Sequence, residues 1–312
     1  MKILIVCSHN YFGKSVPFIE EQVNSLKKYG HEIEYFPINR KGLFGYLKTY
    51  LELKKYFKKN RFDLIHAHYG LSGALACMQR DIPVITTYHG SDIHLLKNRL
   101  ISYFAIFFSE ANIFVSERIK INFMKKKAHV IPCGVDLDVF KPLEKELVRQ
   151  ELGMEHNDNI ILFSSYFENQ IKNSQLALEA IKLVPDTKLL ELKNHSRTEI
   201  NLLLNASDCL LMTSFAEGSP QLIKEALVTN CPIISTDVGD VADNIYGVRN
   251  CYIVGYDATE IAQTIKYILR YKVRTNGESK KELFSLENSS MKIDKLYKKT
   301  CRSKNNIVFT SA

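Results

Sequence analysis

Long apolar runs are absent from this sequence of 312 residues. Runs such as residues 101–108 fall far short of the ~20 residues that a membrane-spanning helix needs. The apolar start at residues 3–6 is not followed by a longer apolar stretch with a small-residue cleavage site, so we expect no signal peptide. Hydrophobic residues make up 46% and charged residues 24%, which excludes disordered, collagen-like and low-complexity proteins.

Paired cysteines and two nucleotide-binding signatures are also missing. The seven cysteines are scattered without a C-x-x-C pair, which favours buried free thiols in a reducing, cytoplasmic compartment. Neither G-x-G-x-x-G nor G-x-x-x-x-G-K-[ST] occurs, which argues against a dinucleotide-dependent oxidoreductase. Asp136 and Asp138 form a nominal D-x-D metal motif, but no strand pattern flanks them. We therefore expect no bound metal.

Charge is unevenly distributed along the chain, whose formal net charge is +8. Residues 1–150 carry 23 lysines and arginines against 14 aspartates and glutamates, and the remaining 162 residues carry 19 against 20. In the densest basic stretch, residues 40–61, four lysines flank two aromatic residues. This stretch fits either a solvated helix face or a contact with an anionic surface such as phospholipid. Nucleic acid is disfavoured because no recognised nucleic-acid-binding fold accompanies it.

Strand-like and helix-like segments alternate from the first residue. The strands are uniformly apolar, which predicts parallel sheets covered by helices on both faces. The alternation breaks at residues 130–142, which resemble a linker, and then restarts. The predicted fold class is α/β, with two Rossmann-like doubly wound domains that face a central cleft. We expect an N-terminal domain at residues 1–135, a C-terminal domain at residues 136–275, and a helical tail at residues 276–312 that packs back on the first domain.

The segment TSFAEGSPQLIKEALVT at residues 213–229 carries the most chemical information. We expect a strand to end near Thr213 and a helix to begin with Ser219 as N-cap and Pro220 as its first residue. A helix N-terminus at a cleft suits a phosphate, and Gly218 lets backbone approach a ligand closely. Glu217 and Glu225 suit hydroxyl groups on either side of that phosphate, as in a sugar–phosphate–sugar ligand. A capped helix with one exposed glutamate is the alternative.

Three histidines lie near predicted strand ends. His66 and His68 alternate along one strand, and we expect them to point to opposite faces with at least one in the core, neither as a metal ligand. His89 lies in a glycine turn after another strand. A histidine in such a turn fits a structural role as well as a catalytic one.

Several ordered motifs together resemble retaining glycosyltransferases with the GT-B fold, and specifically glycosyltransferase family four. Glu217 and Glu225 match the E-x7-E motif of that class. The segments DLIHAH at 63–68, YHGSD at 88–92 and IPCGVD at 131–136 are similar to the family's D-x-I-H-x-H strand end, His-Gly loop and interdomain linker. The resemblance extends from Met1 to about Cys301.

The resemblance implies a metal-independent, retaining transferase that uses a UDP- or GDP-sugar as co-substrate and no other cofactor. The N-terminal domain would bind the acceptor and the C-terminal domain the donor. Glu217 would hold a donor-sugar hydroxyl, His89 would line the cleft near the reacting carbon, and Lys172 would neutralise the leaving diphosphate. The implied donor-binding residues are Glu225, Gly218, Ser219, Pro220, Gln221, Ser164 and Arg197. The implied acceptor and diphosphate loop comprises Gly13, Lys14, Gly90 and Asp92.

One departure from the family concerns the leaving diphosphate. Many members carry a Gly-Arg pair after the first strand of the second domain, with a lysine several residues later. The corresponding region of this chain, residues 163–173, lacks the arginine and keeps only Lys172. Either another cation such as Arg197 substitutes for the missing arginine, or the diphosphate binds more weakly.

The expected acceptor is a glycan or a polyprenyl-diphosphate-linked sugar in the synthesis of a capsule, O-antigen or exopolysaccharide. The basic first half suggests work at the inner face of the cell membrane, on an anionic membrane surface and without nucleic acid. Two alternatives stay open at this point, namely a GT-B nucleotide-sugar epimerase and a decayed, non-catalytic sugar-nucleotide-binding protein.

Overall fold

A computed structural model describes residues 1–8, 16–40, 42–94, 96–121 and 128–309. The chain divides into two compact units, Met1–Gly134 with Leu286–Ala312, and Val135–Ser285. The chain thus passes into the second unit one residue before the predicted boundary. The tail predicted from residue 276 is shared, because residues 276–285 belong to the second unit and the long C-terminal helix to the first.

The first unit is a parallel α/β sheet of six strands in the order β2-β1-β3-β4-β5-β6. Every neighbouring pair in it is parallel. Its elements are β1 (Lys2–Ser8), α1 (Pro17–Lys27), β2 (Glu32–Ile38), α2 (Gly42–Lys59), β3 (Leu64–His68), α3 (Gly70–Cys77), β4 (Val84–Tyr88), α4 (Ser91–His94), α5 (Leu96–Phe108), β5 (Ala111–Phe114), α6 (Glu117–Ile121) and β6 (Ala128–Val130).

Strand β1, which pairs with β2 on one side and with β3 on the other, shows why these strands are apolar. Ile3 and Ile5 pack with α1 on one face of the sheet, and Leu4 and Val6 pack into a different core cluster on the other. All four side chains are fully buried. Because successive strand residues point to opposite faces, a sheet covered on both sides leaves no polar face.

The second unit is a parallel sheet of five strands in the order β11-β10-β9-β7-β8. Helices again cover both faces, since Leu162 lies in one core cluster and its neighbours Ile161 and Phe163 in another. Its elements are α7 (Lys145–Glu151), β7 (Asn159–Phe163), α8 (Ser174–Lys182), β8 (Thr187–Glu191), α9 (Arg197–Ala206), β9 (Cys209–Met212), α10 (Gln221–Val228), β10 (Ile233–Thr236), α11 (Val241–Ile245), β11 (Cys251–Val254), α12 (Ala258–Tyr271) and α13 (Lys281–Phe284).

A buried ion network fastens one corner of the second unit. Arg149 on α7 is 1% exposed, and its guanidinium donates to the carbonyls of Ala206, His156 and Asp158 and to Oδ2 of Asp208. Asp208 also accepts hydrogen bonds from Nζ of Lys145 at 2.6 Å and from the backbone N–H of Ile160 at 2.8 Å. Asp208 thus supplies the negative charge that two cations share.

The C-terminal helix α14 (Leu286–Phe309) packs on the first unit. Ile293, Leu296 and Tyr297 join the core cluster that contains α1, and Asp294 lies 2.9 Å from Nε2 of His31. The prediction that the tail packs back on the first domain is confirmed. Within the described ranges, no helix is both long and apolar enough to span a bilayer.

Candidate active site

Glu217 lies in the loop after β9. Its Oε1 accepts hydrogen bonds from Nζ of Lys172 at 2.6 Å and from Oγ of Ser214 at 2.8 Å. The side chains of Glu217 and Lys172 are 14% and 21% exposed, so a ligand can reach both. Because both hydrogen bonds fall on Oε1, Oε2 can accept one from a sugar hydroxyl.

Lys172 is held by the same loop. It ends a short 3₁₀ turn that begins at Gln170. Oγ1 of Thr213 donates to the carbonyls of Lys172 at 3.0 Å and Asn173 at 2.9 Å, and the turn also accepts the N–H of Phe215. The structure therefore brings together Lys172 and Glu217, which are 45 positions apart in the sequence.

The start of α10 differs from the sequence-based prediction. The helix begins at Gln221, and Pro220 occupies the N-cap position with φ −66° and ψ 117°. Ser219, the predicted N-cap, instead donates its hydroxyl to Oδ2 of Asp240 at 2.7 Å. The predicted helix start at Pro220 with a Ser219 cap is wrong, because the carboxylate of Asp240 takes the Ser219 hydroxyl.

Backbone packs against backbone at this loop. Gly239 has φ +54°, and a Cβ there would come within 2.9 Å of the carbonyl oxygen of Gly218. A side chain at position 239 would therefore push the Gly218–Ser219 segment away. Gln221 is the first residue of α10, and the helix dipole favours an anion at this end.

Glu225 lies in the second turn of α10 and pairs with Arg197, the first residue of α9. Its Oε1 lies 2.6 Å from a terminal nitrogen of the Arg197 guanidinium, and the two side chains are 1% and 24% exposed. The guanidinium also lies over the ring of Phe140, 4.6 Å from its centre. Arg197, one candidate to substitute for the missing family arginine, thus lies at the second carboxylate of the motif.

Ser164, at the end of β7, has a buried hydroxyl. Its backbone N–H donates to the carbonyl of Leu211, but the hydroxyl finds no hydrogen-bond partner among the residues that the structure describes. A buried polar atom without a partner costs about 1–3 kcal/mol, so such an atom fits a group that a ligand satisfies.

In the first unit, Asp92 organises the loop that carries His89 and Gly90. Its Oδ1 accepts the N–H groups of His89 at 3.2 Å and Gly90 at 2.9 Å, and its Oδ2 accepts that of Gly70 at 2.9 Å. Burial raises the pKa of Asp92, and these backbone hydrogen bonds oppose the rise. The carboxylate is 3% exposed, so its contacts lie inside the protein and fix the loop.

His89 is surrounded by aromatic rings. Its Nε2 lies 3.1 Å from Nδ1 of His68, and the rings of Phe18 and Tyr69 lie 5.0 Å and 4.6 Å from its own. Tyr69 has φ +73°, a region that is costly for a bulky side chain. Such strain persists only where surrounding contacts impose it, and it clusters at functional sites.

His66 and His68 share one face of β3, and the expectation that they point to opposite faces is wrong. Their ring centres are 4.4 Å apart, because residues two apart on a strand lie on the same side. His66 donates to or accepts from Tyr297 Oη at 2.5 Å and Thr87 Oγ1 at 2.7 Å. His66 is therefore a core residue, and His68 lies between it and His89.

Stability is expected to fall with acidification because these two histidines are buried. Burial lowers the pKa of His68 to about 3, and burial followed by the charges of His68 and His89 lowers the pKa of His66. In the unfolded chain each of these histidines binds a proton near pH 6.5, whereas in the folded chain each stays neutral at that pH. Below that pH, each histidine should cost about 1.4 kcal/mol of unfolding free energy per pH unit.

Urea unfolding between pH 7.5 and 5.5 measures this slope. His68→Gln should reduce the slope by about one histidine's share, whereas His156→Gln, at an exposed position, should leave it unchanged. Equal slopes in wild type and His68→Gln would show that His68 is not held neutral.

Two predicted site residues, Gly13 and Lys14, lie outside the described residues. Three residues that the sequence-based predictions did not include also shape the site, namely Ser214, Asp240 and Tyr256, whose hydroxyl donates to the carbonyl of Ser214 at 2.9 Å. The closeness of Ser214 to Glu217 in sequence was a usable signal. Asp240 and Tyr256 come from other loops, and no spacing connects them to the motif.

Comparison with known proteins gives two family matches and several relatives. The model of Glycosyltransferase Family 4 matches residues 11–139, and that of Glycosyl transferases group 1 matches residues 177–271. A Bacillus subtilis (strain 168) protein named for teichuronic acid biosynthesis is 27% identical over 234 residues, which are 65% of this chain and 60% of that protein. An Escherichia coli UDP-Gal:alpha-D-GlcNAc-diphosphoundecaprenol alpha-1,3-galactosyltransferase is 26% identical over 240 residues, 62% of each chain.

The chain thus spans less than two thirds of the length of these two relatives. Among solved structures, sucrose-phosphate synthase from Thermosynechococcus elongatus superposes with a TM-score of 0.85 at 16% identity, with 100% of both chains covered. That likeness confirms the predicted GT-B fold. Since the two family models together match more than two thirds of the sequence, the chain belongs to glycosyltransferase family 4, the group 1 glycosyltransferases.

Proposed function

We propose that the chain is a retaining, metal-independent glycosyltransferase. It moves a sugar from a UDP- or GDP-sugar to a glycan or polyprenyl-diphosphate-linked sugar during surface polysaccharide synthesis. The observation that carries this proposal is the E-x7-E pair, in which Glu217 and Glu225 are each held by a cation from another element. Two fixed carboxylates flanking a helix N-terminus suit a ligand with hydroxyls on both sides of a diphosphate.

On donor binding, each group takes one part of the nucleotide sugar. Glu225 accepts hydrogen bonds from the ribose hydroxyls while Arg197 holds its carboxylate in place. The N–H groups of Gly218, Ser219 and Gln221 and the dipole of α10 meet the diphosphate. The Ser164 hydroxyl supplies a further hydrogen bond to the donor.

Lys172 and Glu217 act as the bond to the leaving group breaks. Negative charge builds up on the departing diphosphate, and the ammonium of Lys172 stabilises it electrostatically. Glu217 holds Lys172 at 2.6 Å and accepts a hydroxyl of the donor sugar through its other oxygen. We assign His89 a role near the reacting carbon, and Asp92 and His68 fix its orientation.

The names of two relatives support the proposed acceptor class. One is named for teichuronic acid biosynthesis and the other for a diphosphoundecaprenol-linked acceptor. A lipid-linked acceptor lies in a membrane, which agrees with the basic first half of this chain. We place the enzyme at the cytoplasmic face of the membrane, where anionic lipid and the lipid-linked acceptor meet.

Donor binding provides the first test. A thermal-shift screen of UDP- and GDP-sugars should single out one nucleotide, because a ligand that binds only the folded state stabilises it by mass action. Glu225→Gln should then weaken binding of that nucleotide about 10- to 100-fold, the value of a charge-assisted hydrogen bond.

Glu179→Gln serves as the matched control, since Glu179 is an exposed carboxylate on α8 of the same unit. It should bind the nucleotide like the wild type. Unchanged affinity in Glu225→Gln, measured by calorimetry, would contradict the assignment of Glu225 to the ribose.

A further inference from the structure

Helix α5 exposes most of its large apolar side chains. Its inner face buries Ser102, Ala105 and one larger residue, Ile106, and the small residues Ser102 and Ala105 lie against α3. The contact is so close that a Cβ on Gly70 would come within 1.9 Å of Oγ of Ser102. The opposite face carries large apolar side chains at i, i+3, i+4 and i+7 spacing, namely Leu100, Tyr103, Phe104 and Phe107, which are 70%, 43%, 39% and 65% exposed.

This arrangement reverses the usual pattern. A helix on the surface of a globular protein normally turns its large apolar face to the core and its polar face to water. Contiguous exposed apolar surface marks a site of interaction with a protein or a membrane. Because α5 packs on α3 through its inner face, the outer apolar side chains do not serve that contact.

A cationic cavity lies on the same unit. It has a volume of about 600 Å³ between the end of α2 and the segment that joins α3 to β4. Its charged lining is Lys54, Lys58, Arg61 and Arg80 with a single carboxylate, Asp81, and its aromatic lining is Tyr50, Phe57 and Phe62. Four cations around one open cavity favour an anionic group such as a phosphate.

The cavity and the apolar face are joined by direct contacts. The guanidinium of Arg80 lies 3.7 Å from the centre of the Phe108 ring. That ring in turn lies 4.5 Å from Phe104 and 4.9 Å from Phe107, both on the outer face of α5. The cations and the exposed aromatic side chains therefore belong to one continuous surface, which we call the α5–cavity surface.

We propose that the α5–cavity surface docks the protein on an anionic lipid bilayer. The outer side chains of α5 enter the boundary between headgroups and acyl chains, and the cavity takes a lipid phosphate. The neighbouring cations favour a bilayer as the partner, because a bilayer offers apolar acyl chains directly beneath its lipid phosphates. A purely apolar partner would leave the excess positive charge of the cavity without counter-charge.

This inference deepens the proposed function and rests on it, since a lipid-linked acceptor gives the docking surface its use. Vesicle binding, however, needs neither donor nor acceptor. A protein that binds vesicles but transfers no sugar contradicts only the proposed function, and one that transfers sugar but binds no vesicle contradicts only the docking surface.

The experiment is flotation of the full chain with vesicles of phosphatidylcholine alone or with about one third phosphatidylglycerol. We expect binding to the anionic vesicles, weakened by salt because surface charges are screened. Lys54→Gln/Lys58→Gln should lower the partition coefficient about tenfold or more, because each lysine near an anionic surface strengthens binding about fivefold. Phe104→Ser/Phe107→Ser should lower it at least about tenfold through lost insertion.

Matched controls come from the second unit. Tyr267→Ser/Tyr271→Ser removes two exposed aromatic side chains from α12, and Lys182→Gln/Lys266→Gln removes two exposed charges. Both controls should bind vesicles like the wild type. Equal losses in test and control variants, or no binding of the wild type to anionic vesicles, would overturn the proposal.

Two other occupants give different outcomes. If the outer face of α5 covers a second copy of the chain, sedimentation velocity will show a dimer that Phe104→Ser/Phe107→Ser dissociates, and the bilayer proposal fails. If the cavity serves a soluble anion, inorganic phosphate will bind it in calorimetry while the anionic vesicles do not, and the proposal fails as well.

Discussion

Glu217→Gln is expected to lower kcat for sugar transfer about 100- to 1,000-fold, the effect of removing one electrostatic contact from a preorganised site. The amide cannot form the ion pair with Lys172 that holds the ammonium 2.6 Å away. Lys172 then loses its fixed position at the moment when charge builds up on the leaving diphosphate. Affinity for free nucleoside diphosphate should fall far less than kcat, because Glu217 itself is assigned to the donor sugar.

The measurement is a comparison of kcat with the Kd for nucleoside diphosphate. Glu168→Gln is the control, since Glu168 forms a similar 2.6 Å ion pair with Lys193 but at an exposed position. That variant should retain full turnover. If Glu217→Gln also turns over at the wild-type rate, Glu217 has no part in the transfer step.

Asp208→Ala is expected to lower the free energy of unfolding by about 3–5 kcal/mol, because it leaves buried positive charge uncompensated. Arg149 is 1% exposed and shares the Asp208 carboxylate with Lys145. Burial lowers the pKa of Lys145, and Asp208 opposes that shift, so its removal makes the buried ammonium still less favourable.

Urea unfolding measured by circular dichroism tests this value. Asp158→Ala provides the comparison, because Asp158 pairs with Lys188, whose side chain is 60% exposed. An exposed pair contributes at most about 1 kcal/mol. Similar unfolding free energies for the two variants would mean that the buried network does not fasten α7 to the sheet.

The fold was predictable because its signal is spread over the whole chain. Uniformly apolar strands alternate with helices, and the structure confirms two parallel sheets covered on both faces. The unit to which each part of the C-terminal tail belongs could be predicted only in part. Nothing in the composition of residues 276–285 distinguishes them from the helix that follows, yet the two segments belong to different units.

The site was predictable where chemistry is local in sequence. The Glu217 and Glu225 motif and the nearby glycine could be found by spacing alone. The cations that hold the two carboxylates come from separate segments, and only the resemblance to the family suggested Lys172 and Arg197. The Ser219 cap was mispredicted because propensity describes one residue, whereas Asp240 reached its hydroxyl from another loop.

His66 and His68 show a different kind of limit. Strand periodicity, correctly applied, places both on one face, and their 4.4 Å separation bears this out. Their partners could not be foreseen, because Tyr297 comes from the C-terminal helix. A sequence pattern gives the side of a strand on which a residue lies but not which distant element covers it.

Sugar transfer itself is tested most directly with the donor found by thermal shift, a polyprenyl-diphosphate-linked sugar in anionic vesicles, and EDTA in the buffer. We expect nucleoside diphosphate to be released only when the acceptor is present, with a product that keeps the anomeric configuration of the donor. Product formed from the nucleotide sugar without acceptor would show epimerisation or hydrolysis in place of transfer. Inverted configuration, or activity lost with EDTA, would contradict a retaining, metal-independent mechanism.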